Sequence, residues 1–422
     1  MPQLIGATSG QHSDDRRDIL VLSDFHMSLG REPGAPVGYA HEEFRQDAAF
    51  ARFLDHLIVR GADRFHLVLL GDLVDFLTAD PAVGGGASAA LAKLERIVAG
   101  HPAPFSVLGA FAVAGGRLTI VPGNHDVELL RPSVRRRLVE LMVRNGDPSA
   151  PARVGFAPWI FHVPGVLYAE HGSQYHDINA FPTLLSAADG DDIELPLGSQ
   201  LALRALRRRE HGQSKAHDAA FALSAARTAA ALGGPAERRR RAVYRAAVLA
   251  AAARDTGLRP ETLTAIDRLS ERSALALGRR ALRLAARRRA NGSHGITDPP
   301  APDTVDDAIL RAARAVDGVL AREGSAVPFY AFGHTHRAAQ LPLREGERPA
   351  WYFNTGAWAD GAAPPPFLPY LHIERNGVPT ARLLAWNDAE RVPAPLAPWV
   401  RATAARPRPP AEDRSETALA PR

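Results

Sequence analysis

Ile19-Leu20-Val21-Leu22-Ser23-Asp24-Phe25-His26 decides how the rest of the chain is read. Its first four residues are aliphatic with no polar alternation, the pattern of a strand buried on both faces. Asp24 and His26 follow at once, two polar groups placed where a strand gives way to a loop. In an open α/β fold, loops at strand ends carry the chemistry. Four further segments repeat the design. His66 to Leu70 ends at Gly71-Asp72, and Leu118 to Val121 delivers Gly123-Asn124-His125-Asp126. Val166 to Glu170 ends at His171-Gly172, and Phe329 to Phe332 ends at Gly333-His334-Thr335-His336.

Between these strands the pattern turns helical. From His41 to Arg60, Phe44, Ala48, Ala51, Leu54 and Ile58 recur at steps of three and four, with Gly61 as a stop. Ser88 to Val98, Phe105 to Val113 and Ser133 to Val143 read as further helices, the last closed by Asn145-Gly146. Phe156 to Val163 and Val166 to Glu170 form an expected hairpin about Pro164-Gly165, and Trp351 to Phe353 runs as a strand into Asn354. The triple glycine of Pro81 to Gly86 lacks the Lys-Ser/Thr ending of a phosphate loop and reads as a connector. The expected organisation is an α/β domain formed by 1–180 and 302–400. It is interrupted by a mostly helical, Ala- and Arg-rich insertion over 181–301 and followed by a disordered tail over 401–422.

Composition narrows the chemistry. The absence of cysteine removes disulfides, thiolate metal sites and cysteine nucleophiles together. The polar N-terminus has no signal-peptide core, and the apolar run Phe105 to Ala114 is far short of the about 20 residues that cross a bilayer. A cytoplasmic, soluble protein is expected. The formal net charge of +5 hides an asymmetry, because 201–290 holds 21 Lys and Arg against 7 Asp and Glu while the remainder is net acidic. Only Lys93 and Lys215 are lysines, the mark of a GC-rich genome.

Metal must therefore be held by nitrogen and oxygen, and the five segments supply both. Aspartate and histidine two apart can face one cation across a tight turn. Asp72 can bridge two cations through its two oxygens, Asn124 offers an amide oxygen, and His171, His334 and His336 offer imidazoles. The allocation that follows puts Asp24, His26, Asp72 and His336 on one metal, with Asp72, Asn124, His171 and His334 on the other. Such ligation suits Mn, Fe or Zn better than Ca or Mg. Two metals suit in-line attack of a bridging hydroxide on phosphorus. His125 is free to protonate the leaving oxygen as general acid, with Asp126 expected to orient it. His176, close after His171, is expected to line the substrate pocket. His56, His66, His101, His162 and His372 read as surface or core residues.

In the pattern Asp-x-His, Gly-Asp-x-x-Asp (Gly71, Asp72, Asp75), Gly-Asn-His-Asp, His-Gly and Gly-His-Thr-His, the chain resembles the calcineurin-like metallophosphoesterases from about Ile19 to Trp358. The resemblance implies a four-layer α-β-β-α sandwich of two mixed sheets face to face, with helices outside. A helical insertion before Gly-His-Thr-His is similar to that of bacterial hydrolases of UDP-2,3-diacylglucosamine. Gly-Asn-His-Asp stands where that group has an arginine for the histidine, and His-Gly-Ser-Gln-Tyr where it has His-Gly-Asp, which favours a less specialised phosphoesterase.

The expected activity is metal-dependent hydrolysis of an anionic phosphomonoester or phosphodiester. Arg238, Arg239, Arg240 and Arg241 are candidate contacts to the substrate, set against a solvated helix face as the plainer reading. Nucleic acid is a second possible substrate by phosphate contacts, disfavoured because only Phe221 and Tyr244 could stack bases in 201–290. A non-catalytic scaffold is a third reading, disfavoured by the complete ligand set.

Overall fold

Two layers of alternating side chains along single strands explain the architecture. In the computed structural model, described over residues 16–30, 41–80, 86–143, 148–176, 179–181, seven positions between 195 and 206, 252–269, 305–359 and 367–402, β1 (Asp18–Leu22) is buried on both faces. Ile19 and Val21 point one way, into a core shared with a second sheet, while Leu20 and Leu22 point into a core shared with helices. β2 (Phe65–Leu70) does the same with Val68 and Leu70 against Leu67 and Leu69. A period of two with both faces apolar is what a sheet covered on both sides requires.

β1, β2, β3 (Arg117–Val121) and β4 (Val154–Phe156) run parallel. The expected strand Phe156 to Val163 is instead two strands in different sheets. Phe156 ends β4 beside β3, and Ile160 begins β5 (Ile160–Val163) in the second sheet. Pro158 lies between them and has no amide proton to continue a ladder. The expected hairpin holds, since β5 pairs antiparallel with β6 (Leu167–Glu170) across Pro164-Gly165. β6, β7 (Phe329–Phe332) and β9 (Ala350–Asn354) are parallel, and β8 (Ala339–Arg344) closes the edge. The C-terminal strands β10 (Phe367–Glu374), β11 (Thr380–Asn387), β12 (Val392–Pro395) and β13 (Val400–Arg401) return to the first sheet on the far side of β1. Both sheets are thus mixed, in an α/β fold consistent with the metallophosphoesterase sandwich.

Among the described residues four helices cover the first sheet: α1 (Asp47–Val59), α2 (Ala87–Gly100), α3 (Pro102–Val113) and α4 (Pro132–Met142). Helix α1 starts six residues later than its periodicity suggests. Residues 41–46 form a loop, and Glu42 turns its carboxylate onto the amides of Ser28, Gly30 and Phe44. The outer face of the second sheet is covered by α5 (Val305–Arg322) through Ile309, Ala313, Val316 and Leu320. It is also covered by helical residues within 252–269, where Leu258, Leu263 and Ile266 join the same core. His162 Nδ1 donates to the Thr256 carbonyl, 2.7 Å away, tying that stretch to β5. Each fully buried Leu or Ile in such a core contributes about 1.5–3 kcal/mol. Arg238 to Arg241, most of the expected insertion and nearly all of the expected tail lie outside the described residues. Among the described residues no helix is long and apolar enough to cross a membrane.

Candidate metal centre

β1, β2, β3, β6 and β7 all end at one place, and the five segments meet there. Seven described non-glycine residues have positive φ, and five of them are Asp24, His26, Asp72, His334 and His336, at 52 to 70°. A left-handed conformation outside glycine costs on the order of 1–3 kcal/mol and persists only where its surroundings enforce it. Here the enforcement is visible. The amides of Phe25 and His26 donate to the Asp72 carbonyl at 2.9 and 2.8 Å, Gly333 N donates to His171 O at 3.0 Å, and Ala359 N donates to Asp24 O at 3.0 Å. Between the two polar residues, Phe25 is buried against Phe44, Phe50 and Trp358, its ring centroid 5.6 Å from that of Trp358.

Among the described residues three groups of donor atoms converge, one of them His26, Asp75 and His125, and the other two hold the expected ligands. Asp24, His26 and His336 present ligand atoms within 4.8 Å of one another, and so do Asp72, His171 and His334. Within the first, His26 Nε2 and His336 Nε2 are 3.1 Å apart, with Asp24 Oδ1 3.4 Å from His336 Nε2. Asp72 joins the two groups, Oδ2 lying 3.6 Å from His26 Nε2 and 3.2 Å from His171 Nε2. Asn124 Oδ1 is 3.2 Å from the same His171 nitrogen. The other nitrogen, His171 Nδ1, donates to the Leu70 carbonyl at 3.0 Å, which leaves the Nε2 lone pair facing inward. Burial works against charge on Asp24, Asp72, His171, His334 and His336. Even so, the nearby histidines hold Asp24 down to about 2, and Asp72 and Asp24 draw His171 up to about 9. The imidazole and carboxylate donors, buried apart from the half-buried His334 and His336 and facing one another, fit divalent metal ions.

Glycine makes room for this convergence. A Cβ at Gly123 would overlap the Asp72 carboxylate, and one at Gly333 would sit 2.7 Å from Asp24 Oδ2. Neither has positive φ, so the requirement is for space and not for a sharp turn.

The expectation that Asp126 orients His125 is corrected by the structure. The Asp126 carboxylate accepts from the amides of Gly123 at 2.6 Å and Leu73 at 2.8 Å, with Asp72 N at 3.3 Å. It clasps the Asp72 and Asn124 loops together. His125 Nδ1 instead meets Asp75 Oδ2 at 2.8 Å, while Asp75 Oδ1 accepts from the Leu77 and Thr78 amides. Burial opposes charge on His125, but Asp75 and Asp72 outweigh it and push the ring up to about 10. The ring is a quarter exposed, and it lies edge-on to His26. Asp75 was visible in the sequence only as the last residue of Gly-Asp-x-x-Asp, with nothing to mark its partner.

His176 comes to the same place: its Nδ1 is 3.0 Å from His334 Nε2, and Asn179 Nδ2 lies 3.2 Å from that nitrogen. Behind this loop, Glu170 accepts from Trp159, Tyr168 and Tyr175 at 2.7 to 2.8 Å. The residues read as bland are partnered elsewhere, His66 with Thr119 and His372 with Asp18, and His56 lies against Trp386.

The family model for calcineurin-like phosphoesterases matches residues 17–214. The match carries the segments from Asp24 to His171, and His334 and His336 lie beyond it in sequence. No curated protein matches the chain.

Proposed function

We propose, on the match of residues 17–214 to the family model for calcineurin-like phosphoesterases and on the convergence of the donor groups, a two-cation hydrolase of a phosphomonoester or phosphodiester. Asp24, His26, Asp72 and His336 would hold one cation, and Asp72, Asn124, His171 and His334 the other. The observation that carries this reading is the junction at Asp72, whose Oδ2 faces a histidine of each donor group. Manganese, iron or zinc suits the mixed donor set. When bound, two such cations polarise the phosphoryl group and make water acidic enough to act as nucleophile near neutral pH.

The protein's own groups do the rest. His125, with Nδ1 committed to Asp75, has Nε2 left to hand a proton to the leaving oxygen. Asp75 fixes that tautomer and balances the charge of the protonated ring. His176 and Asn179, beside His334, would meet phosphoryl oxygens as hydrogen-bond partners. Asp126 keeps Asp72 and Asn124 in register by holding three amides of their loops.

The test is a panel of phosphate mono- and diesters, with nucleotides, sugar nucleotides, phospholipid headgroups and DNA, assayed with and without added manganese. Manganese-dependent turnover of a small ester is expected. Turnover of DNA alone would move the substrate to nucleic acid. No turnover of any member, with fewer than one metal per chain after loading, would leave a scaffold.

A further inference from the structure

The two oxygens of the Asp24 carboxylate have different surroundings. Oδ2 accepts from the Ser23 hydroxyl and from the His334 amide, the latter at 3.0 Å. Oδ1 has the same amide at a longer 3.2 Å and faces His336 Nε2 at 3.4 Å. One oxygen is therefore engaged by protein donors, and the other is turned toward the imidazoles of the first donor group.

Ser23 is fully buried at the end of β1 and reaches across to the end of β9 in the opposite sheet. Its Oγ lies 2.6 Å from Thr355 Oγ1 and 3.0 Å from the Gly356 carbonyl. A hydroxyl has one proton, and an ionised carboxylate is a stronger acceptor than a neutral carbonyl. The proton of Ser23 thus goes to Asp24, and Thr355 can donate its own proton to Ser23 Oγ. Gly333 supplies the clearance, since a Cβ there would be 2.7 Å from both Asp24 Oδ2 and Ser23 Oγ.

We propose that Ser23, backed by Thr355, is a positioning residue that occupies Asp24 Oδ2 and leaves Oδ1 to the first cation, so that it sets the affinity of that cation and leaves the second untouched. The proposal rests on the two-cation reading above. Its asymmetry comes from the geometry: Ser23 touches Asp24, whereas at the second site the Asp72 carboxylate accepts from the His125 amide, His171 donates to the Leu70 carbonyl, and His334 meets Asp24 through its backbone amide and not its imidazole. Groups that orient a metal ligand typically change metal affinity 10- to 100-fold.

The test is titration of the metal-free protein with Mn(II), followed by calorimetry and by the spin-coupled EPR signal of a manganese pair, for wild type, Ser23→Ala, Thr355→Val and Thr355→Ser. Two manganese ions are expected in the wild type. Ser23→Ala should weaken one of them about 10- to 100-fold, leave the other unchanged and abolish the pair signal at stoichiometric metal. Thr355→Val should show a smaller loss at the same site, and Thr355→Ser should restore wild-type binding. Should Ser23→Ala not fold, the two Thr355 variants decide alone. Unchanged affinities, or equal weakening at both sites, would overturn the proposal. Fewer than two manganese ions in the wild type would instead overturn the two-cation reading, and the proposal with it.

Discussion

Asp75 and Asp126 stand in roles that spacing alone does not assign. The residue next to a histidine was the natural candidate to orient it, yet Asp126 turns back onto the amides of Gly123 and Leu73, and the orienting carboxylate comes from the loop after β2. Donor types at strand ends were legible because each follows an apolar run, whereas partnerships across loops depend on backbone turns that no local pattern reports. Asp75→Asn should keep the fold and lower kcat by on the order of 10²- to 10⁴-fold, most for esters with poor leaving groups. Equal losses on p-nitrophenyl and alkyl esters would argue against proton donation by His125. Gly123 gives a second check. Its backbone tolerates any residue, so Gly123→Ala should act only by pressing on Asp72, and should cut metal content without a backbone penalty. Normal metal content in that variant would contradict the steric account.

At the scale of elements, the ends of helices and loops carry functions that periodicity did not foresee. His101 read as an ordinary histidine, but it sits between α2 and α3 with Nε2 3.0 Å from Glu42 and Nδ1 2.8 Å from Asp47. Glu42 in turn holds the amides after the Asp-x-His segment. Burial opposes charge on His101, but the hydrogen bonds it donates to Asp47 and Glu42 raise it to about 9 from an ordinary 6.5. A raised value stabilises the fold fully below pH 6.5, and that contribution fades as pH climbs through 9. The loss is on the order of 3 kcal/mol. Chemical denaturation from pH 6 to 10 should show it, and His101→Gln should flatten the slope; an unchanged slope would exclude His101 as its source. β10 to β13 and α5 were not read from sequence. Pro369 and Pro395 interrupt the strand pattern, and α5 follows a Pro-, Gly- and Asp-rich stretch over 291–304, although Ile309, Ala313, Val316 and Leu320 carry the helical period.

For the whole molecule, the fold is an arrangement that brings strand ends from two sheets to one point. The face-to-face core of Ile19, Val21, Val68 and Leu70 with Leu167, Ala169, Phe329 and Ala331 sets the sheets in contact. Asp72 from one sheet then meets His171 from the other. Five strained residues, two of them the buried carboxylates Asp24 and Asp72, are held at that point, so cations should stabilise the folded state. Removing metal with EDTA should lower Tm through a loss of stability set by occupancy, about 2.7 kcal/mol when metal stands at a hundred times Kd; an unchanged Tm would speak against structural coupling. The central claim is that Asp72 joins two cations, and metal content measured alongside ester hydrolysis in wild type and Asp72→Asn tests it most directly. The account predicts two metals per chain and manganese-dependent turnover in the wild type, with most of both lost in the variant, whereas full metal content in Asp72→Asn would contradict it.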